Sequence, residues 1–573
     1  MTTYNQELTA ISRIPCTLKI LSLDYCGRTF GVSPCLATGN KCYNTYFTCR
    51  YKSAYLKQSK DYKFTSSNVP LPFQGPRPYL DSVKYMPTEI KDNKTVTSRV
   101  KINLHDEPDT DVDIDPYLSS RSSVQGNFWQ KLLARNPNYK GRFVKLLEGF
   151  IGIPENEFQG KFIGKIDNIK VDKKGIIEIE IIDLLKALSD VEIPSKVNVQ
   201  LITTIDISQT TITVDDASEL DDPAAGTKYI RIDDEIISYT TRNLTTNQIS
   251  GGARAQFTTT AATHTANTKV AKILYYAPDN PYDILLQILT DAGTDAAYID
   301  TPAFTGLKTY PIADVDRKAI ITEPTKASIL YFELIDELDC KSWVNEDLKI
   351  TIAKNIQNMP GRIYTEITDE ANIIHNSTAV DLNNESRISR ISVYWNKAIL
   401  GSVDDLDKYN RLDIFVDAGA ESINEYNEEK EKKFYSRWLH ENLTTEEILN
   451  VYIRNNFSRQ LFRTRDAQTL YDFEVELKDQ DIKVGQYIKI TTEDIQEIDG
   501  HGINKRFFQT VKKERLSDKV KFKAIITPKK RIAFIAPNAT PVYTSASEAQ
   551  KEYGFLGNSK GEQANGDTGY RIY

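Results

Sequence analysis

The chain has 573 residues, 40% hydrophobic and 26% charged, which supplies several cores and excludes a disordered, collagen-like or membrane-embedded chain. At roughly 150 residues per domain, this length predicts about four domains or one large multi-lobed body. Lys+Arg 72 against Asp+Glu 79 leave a net charge of −7, which argues against a sequence-independent grip on DNA or on an anionic membrane.

The 31 Tyr and only 3 Met lean toward β-structure, because aromatic rings suit half-buried pleated surfaces. Residues 1–12 carry neither a basic n-region nor an apolar h-region, so no secretory signal is read there. The most apolar stretch, Gly175 to Leu188, is interrupted by Glu178, Glu180 and Asp183 and does not read as a membrane span. A soluble chain in a reducing cytosol is the expectation, and that bears on its thiols.

Five of the six cysteines fall early: Cys16, Cys26, Cys35, Cys42 and Cys49. The last four are interspersed with Gly27, Gly31, Pro34 and Gly39, residues that let a backbone fold back on itself. In a reducing compartment such clustering favours a metal site over disulfides, with free buried thiols as the remaining reading. Zinc knuckles of the C-x2–4-C kind are absent, as are the common ferredoxin spacings. Wider loop-borne spacing suits an iron–sulfur cluster better than zinc, and zinc stays open as the alternative. Cys16 lies in the alternating run Pro15 to Leu23 and reads as a core residue, leaving Cys26, Cys35, Cys42 and Cys49 as the favoured ligands. Cys340, among Leu and Phe at the end of a helical pattern, reads as an inert core thiol.

Arg99 to Leu104, Gly160 to Val171 and the run after Gly175 alternate like strands, with a short amphipathic helix from Gly126 to Arg135 between them. This is a barrel-like antiparallel pattern. Residues 200–272 shift toward Thr, Ala and Asp. Strand runs at Thr210 to Val214, Lys228 to Ile232 and Asp234 to Tyr239 precede a turn, Gly251-Gly-Ala-Arg254, and the segment Thr260-Ala-Ala-Thr-His264. Helices are predicted at Pro281 to Asp291 and Thr325 to Leu338, then a hairpin from Trp343 to Ile352. Strands return at Ser386 to Tyr394, Leu470 to Leu477, Gln486 to Thr491 and Lys519 to Ile526, with a charged helical stretch at Glu425 to Arg463. Composition after Ala536 is that of a linker or adaptable arm.

The sequence contains no G-x-S-x-G, H-E-x-x-H, Walker A or post-strand G-x-G-x-x-G signature. The five His, at 105, 264, 375, 440 and 501, do not pair at metal-ligand spacing, and each reads as a surface or loop residue. The acidic run Asp106 to Asp115 lacks the EF-hand Gly and Glu and reads as a solvated turn rather than a calcium loop. Lys512 to Arg515 and Lys529 to Arg531 read as exposed strand-edge charges.

The stretch from Leu23 to Cys35, then Lys41 to Thr45 and Thr48-Cys49, resembles the start of the tail-tip hub proteins of long-tailed phages and gene transfer agents. The likeness continues through Thr110 to Tyr117, Asn127 to Asn136 and Asn138 to Arg142. The segment around Arg254 and His264 resembles a small β-module that recurs in phage tail and baseplate proteins. Relatives of the lambda type hold a [4Fe–4S] cluster in a Cys-rich segment, nearer their C-terminal half. The resemblance implies a mainly β fold with α+β parts: two hub-type β-barrels bracketing an α+β middle, plus an inserted β-module. The expected division is 1–75 Cys-rich segment, 76–199 first barrel, 200–275 inserted module, 276–385 middle, 386–530 second barrel with a charged helix, and 531–573 C-terminal arm.

It further implies a non-enzymatic virion protein at the tail tip, assembled in the host cytoplasm. That protein would be a homotrimer meeting a distal tail protein, a tape measure protein and a central fibre or receptor-binding protein. No specific nucleic-acid binding and no stable membrane insertion are expected. The contrasting reading, a tail-associated cell-wall hydrolase or an iron–sulfur redox enzyme, needs an acid pair or flavin motif that the sequence does not single out.

Overall fold

The strand Pro15–Cys26 sets the first body. Leu21 and Leu23 point into one core while Cys16, Leu18 and Ile20 face another, so the strand is buried on both sides. In the computed structural model it lies inside a seven-stranded antiparallel sheet. The order is Lys57–Thr65, Pro15–Cys26, Phe143–Phe150, Gln159–Val171, Ile176–Asp183, Arg99–His105, Leu80–Tyr85. The structure describes residues 2–526 apart from 9, 11–12, 30–31, 36–44, 67–70, 74, 86–88, 92–93, 97–98, 109–125, 173, 309–313, 346, 356–363, 498–499 and 517–518. Beyond 526 it describes 535–536, 543–545, 555–556 and 570–572.

The two ends of this sheet meet. Thr65 N donates to Arg77 O at 2.8 Å and Arg77 N to Lys63 O at 2.9 Å, so the segment leading into Leu80–Tyr85 returns to the opposite edge strand. The helix Phe128–Arg135 plugs the interior with Phe128, Trp129 and Leu132. Asp106 caps that helix, its Oδ1 accepting from Trp129 N at 2.8 Å. The sheet crosses the expected 75/76 boundary: strands 15–26 and 57–65 belong to the first barrel rather than to a separate Cys-rich unit. Alternation in Pro15 to Leu23 already marked the reason, since only a paired strand buries both faces.

The inserted module is built on Val199–Gln200, Lys228–Ile232, Glu235–Tyr239 and Lys269–Asp279, with a smaller sheet of Ile212–Thr213, Thr241–Asn243 and Gln248–Ser250. Its core is largely β-branched, including Ile205, Ile230, Ile232, Ile237 and Ile249. The strand Lys269–Asp279 ties it to the middle: residues 270–273 pair with Lys228–Ile232, and 274–279 pair with Arg317–Ile321. The middle packs helices Pro281–Asp291, Thr301–Leu307 and Ala327–Glu337 over the hairpin Cys340–Val344 and Ile350–Lys354.

An eight-stranded sheet forms the last large body, with central order Glu366–Thr368, Tyr487–Gln496, Gly502–Arg515, Lys519–Ile526, Gln468–Glu476, Ala379–Asn383. The chain passes from the Glu366–Thr368 edge to the Ala379–Asn383 edge through the Ile373–Val475 bridge. Strands 366–368 and 379–383 therefore lie in the second β-body, ahead of the expected start at 386. Residues 390–464 make their own layer: Tyr409–Val416, Arg390–Lys397 and Glu431–Tyr435 under the helix Glu446–Thr464.

The expected helical stretch from Glu425 to Arg463 is thus helical only over its second half and holds a strand in its first. Glu431–Tyr435 pairs in parallel with Arg390–Lys397, and the helix begins only at the Thr445 cap. Lys512 to Arg515 sit in an interior strand, not on an edge; Lys513 reaches out to Gln480 O at 2.5 Å. Lys529 to Arg531 and Asp109 to Asp115 lie outside the described residues. Within the expected arm, Ile535–Ala536, Phe555–Leu556 and Tyr570–Ile572 pair into a small sheet. Among the described residues no helix is long and apolar enough to cross a membrane.

Candidate functional site

Cys26 ends the strand Pro15–Cys26 opposite Lys57 and is buried. Gly27 N then donates to Leu56 O at 2.9 Å, and the end of the Gln58 side chain lies over Gly27 where a Cβ would stand. Cys35 follows a turn, its N–H on Val32 O at 2.8 Å. Cys49 closes another, its N–H on Tyr46 O at 3.2 Å. Thr45 pins that second loop to the barrel's helix through Oγ1 on Arg135 O at 2.7 Å.

The Cys49 thiol feels its surroundings. Burial raises the Cys49 pKa, and negative charge on Cys26 and Cys35 raises it further, against a lowering contact from the Tyr51 backbone. Beside them Tyr55 is pushed up to about 12, by burial first and then by Asp24, Cys26 and Cys49. The Tyr55 hydroxyl is buried with no hydrogen-bond partner. Cys42 lies outside the described residues. Among the described residues no three His, Cys, Asp or Glu side chains stand in a group that could hold a metal ion. The soft donors and the orphaned hydroxyl fit a metal–sulfur group, but the described residues alone do not form a finished cage.

Cys16 and Cys340 are core thiols. Cys16 packs with Leu18, Phe150 and Phe158 and lies 3.1 Å from Thr65 Oγ1. Cys340 is fully buried, and burial pushes its thiol up to about 12.

The sequence reading missed a second constellation, in the inserted module. His264, expected on the surface, is 2% exposed. Its Nδ1 is 2.8 Å from Asp233 Oδ2 and its Nε2 is 2.9 Å from Glu235 Oε2. Glu235 also accepts from Ala255 N at 3.0 Å, Ala262 N at 3.0 Å, and Arg254 Nε and Nη2 at 2.7 Å each. Burial alone would raise the Glu235 pKa; Arg254, Ala262 N–H, His264 and Ala255 N–H outweigh it and hold the group down at about 2. The arc between these anchors is strained: Ala255, Phe257 and Thr258 have φ of 52°, 55° and 65°, in the left-handed region that side chains disfavour. Arg254 and His264 were legible as a motif; their common partner was not, because 19 and 29 residues of sequence separate it from them.

No protein-family profile matches the sequence, and no curated protein resembles it. Among solved structures, a tail protein from Neisseria meningitidis MC58 aligns over 78% of this chain and 92% of its own, at 7% identity and a TM-score of 0.35. The 43 kDa tail protein of prophage MuSo2 from Shewanella oneidensis aligns over 78% and 94%, at 8% and 0.37. Prophage tail protein gp18 from Listeria monocytogenes EGD-e aligns over 79% and 90%, at 9% and 0.33. These likenesses are partial, and the functional reading does not rest on them.

Proposed function

We propose that this chain is a structural hub of a phage-type tail tip, acting by assembly rather than catalysis. The observation that carries the reading is a pair of large β-sheets, one antiparallel between Pro15 and Asp183, the other antiparallel but for Glu366–Thr368 and built mainly on residues 366–383 and 468–526, with an α+β segment between them in the sequence. This is the arrangement that the sequence resemblance of residues 23–49 and 110–142 predicts. In this reading three copies form a ring that closes the tail tube. The ring seats the distal tail protein and the tape measure end, carries a central fibre or receptor-binding protein, and opens for DNA ejection.

Cys26, Cys35 and Cys49, with Cys42 as the fourth donor, would hold a [4Fe–4S] cluster, zinc being the alternative. Such a group stabilises loops that have little apolar content of their own, and here none of the described residues between 27 and 56 belongs to the two cores of the first barrel. Tyr55 would stand where its hydroxyl can donate to a cluster sulfur. The test is cryo-EM of particles containing the chain. Threefold density at the distal end of the tail supports the reading; density along the tube, in the head, or in no particle overturns it.

A further inference from the structure

The strained arc of the inserted module faces open space. Phe257 and Thr258, with Tyr275, form one wall of a cleft of about 730 Å³ whose other wall is Lys397, Asn410 and Arg437. A second cleft of about 600 Å³, running past Asp234, Thr260 and Lys408, shares Phe257, Thr258, Ala398 and Ile399 with the first. The two are therefore one extended groove between the module and the loop after Arg390–Lys397. Two half-buried aromatic rings line it, Phe257 and Tyr275, 4.8 Å apart centroid to centroid, and Tyr229, which lines neither cleft, packs on them at 4.8 and 5.8 Å.

The groove is built to stay open. Glu235 grips the arc at Ala255 on one side and Ala262 and His264 on the other, so Phe257 is presented by a clamped segment rather than by a free loop. Gly252 allows the approach to the arc: a Cβ there would fall 1.9 Å from Ser238 O.

We propose that this groove binds a linear oligosaccharide. Aromatic faces at the centre suit the apolar C–H faces of sugar rings. Around them the lining mixes donors and acceptors: the Ser402 hydroxyl and the Asp404 carboxylate, with the Lys397 amine on Ala398 O and Gly401 O at 3.0 and 2.7 Å and the Asn410 amide on Asn396 O at 3.1 Å. Arg437 is already paired with Glu333 at 2.9 Å, and acids and bases alternate along the walls, so the groove has no field for a polyanion. A lipid would press hydrocarbon against the Ser402 hydroxyl and the Asp404 carboxylate. Hydroxyl-rich chains match the lining; nucleic acid and acyl chains do not. The inference does not depend on the hub reading, and either can fail without the other.

The test is isothermal titration of the full chain with uncharged tetrasaccharides, β-1,4-linked N-acetylglucosamine, α-1,4-linked glucose and β-1,4-linked mannose, at millimolar concentration. Hydroxyl-radical footprinting of Tyr275 runs in parallel. Binding of at least one tetrasaccharide is expected, with protection of Tyr275. Phe257→Ala should weaken binding at least tenfold, and Asn410→Ala, on the opposite wall and exposed, severalfold at unchanged melting temperature. No binding by any of the three, binding that F257A and N410A leave intact, or saturation only by an unstructured peptide control would overturn the proposal.

Discussion

Arg254 and Glu235 form a two-pronged ion pair, Nε and Nη2 each 2.7 Å from a carboxylate oxygen, with side chains 7% and 0% exposed. The parallel fork geometry makes this among the stronger kinds of buried pair. Breaking it from one side strands a charge away from water, at a cost of about 3–5 kcal/mol. Glu235→Gln should therefore unfold the module, residues 199–273, before the rest of the chain, seen as early loss of hydrogen-exchange protection on Glu235–Tyr239. If E235Q leaves that protection intact, the carboxylate is not the anchor described above.

The same pair sets an acid limit. Glu235 titrates near 2 in the folded chain, below the usual carboxylate value, so its stabilisation is fully present above about pH 4.3 and is lost as pH falls toward 2. Amides of Glu235–Tyr239 should lose protection in that window, whereas in E235Q, which has no proton to gain, the dependence on pH should flatten.

Lys341 predicts a slope of the same sign in a second, alkaline window. Its amine donates to Gln509 Oε1 at 2.6 Å, joining the hairpin to the eight-stranded sheet, while burial, then Arg463, lowers its pKa to about 7. An unfolded lysine titrates near 10.4, so between about pH 7 and 10 the unfolded state binds the extra proton and stability rises with pH. Lys341→Met should remove that rise. Melting curves across the window decide it; a wild-type profile that stays flat from pH 7 to 10 would exclude the effect.

Much of this fold was legible because it rests on local periodicity. Pro281–Asp291 and Lys228–Ile232 match their sequence reading residue for residue, the one fixed by a proline start and a 3.6-residue apolar pattern, the other by alternation. The failures came where tertiary pairing outweighs local pattern. Glu431–Tyr435 is dense in charge and still a strand, because Arg390–Lys397 supplies its backbone partners. His264 looked like a lone loop residue, since Asp233 and Glu235 reach it only after a strand hairpin folds back. Cys26, Cys35 and Cys49 were readable as a cluster along the sequence, but the placing of Cys26 depends on where the barrel ends its first strand.

The thiol segment makes a spectroscopic prediction. Under anaerobic purification the chain should carry iron and inorganic sulfide, and replacing Cys26 and Cys49 together with Ser should abolish both. Tyr55→Phe tests the orphaned hydroxyl: it should leave iron content unchanged and lower the reduction potential, because one hydrogen bond to sulfur is lost. Zinc in place of iron would redirect the assignment to a structural thiolate site, and neither metal in anaerobically prepared protein would remove the site altogether.

Inside the first barrel, Lys19 is fully buried, and its amine has no hydrogen-bond partner. It sits 5.7 Å from the ring centroids of both Phe64 and Trp129, and burial drives its pKa well below the ordinary value. Two aromatic faces offset only part of the desolvation of an ammonium group, and a neutral amine there still wants a partner. Lys19→Met keeps the length of the side chain and removes the polar end. It should stabilise the barrel by about 1–3 kcal/mol, the cost of an unsatisfied buried polar group. Urea unfolding followed by Trp129 fluorescence measures this, and a destabilised K19M would mean that the amine contributes to the fold through the two rings.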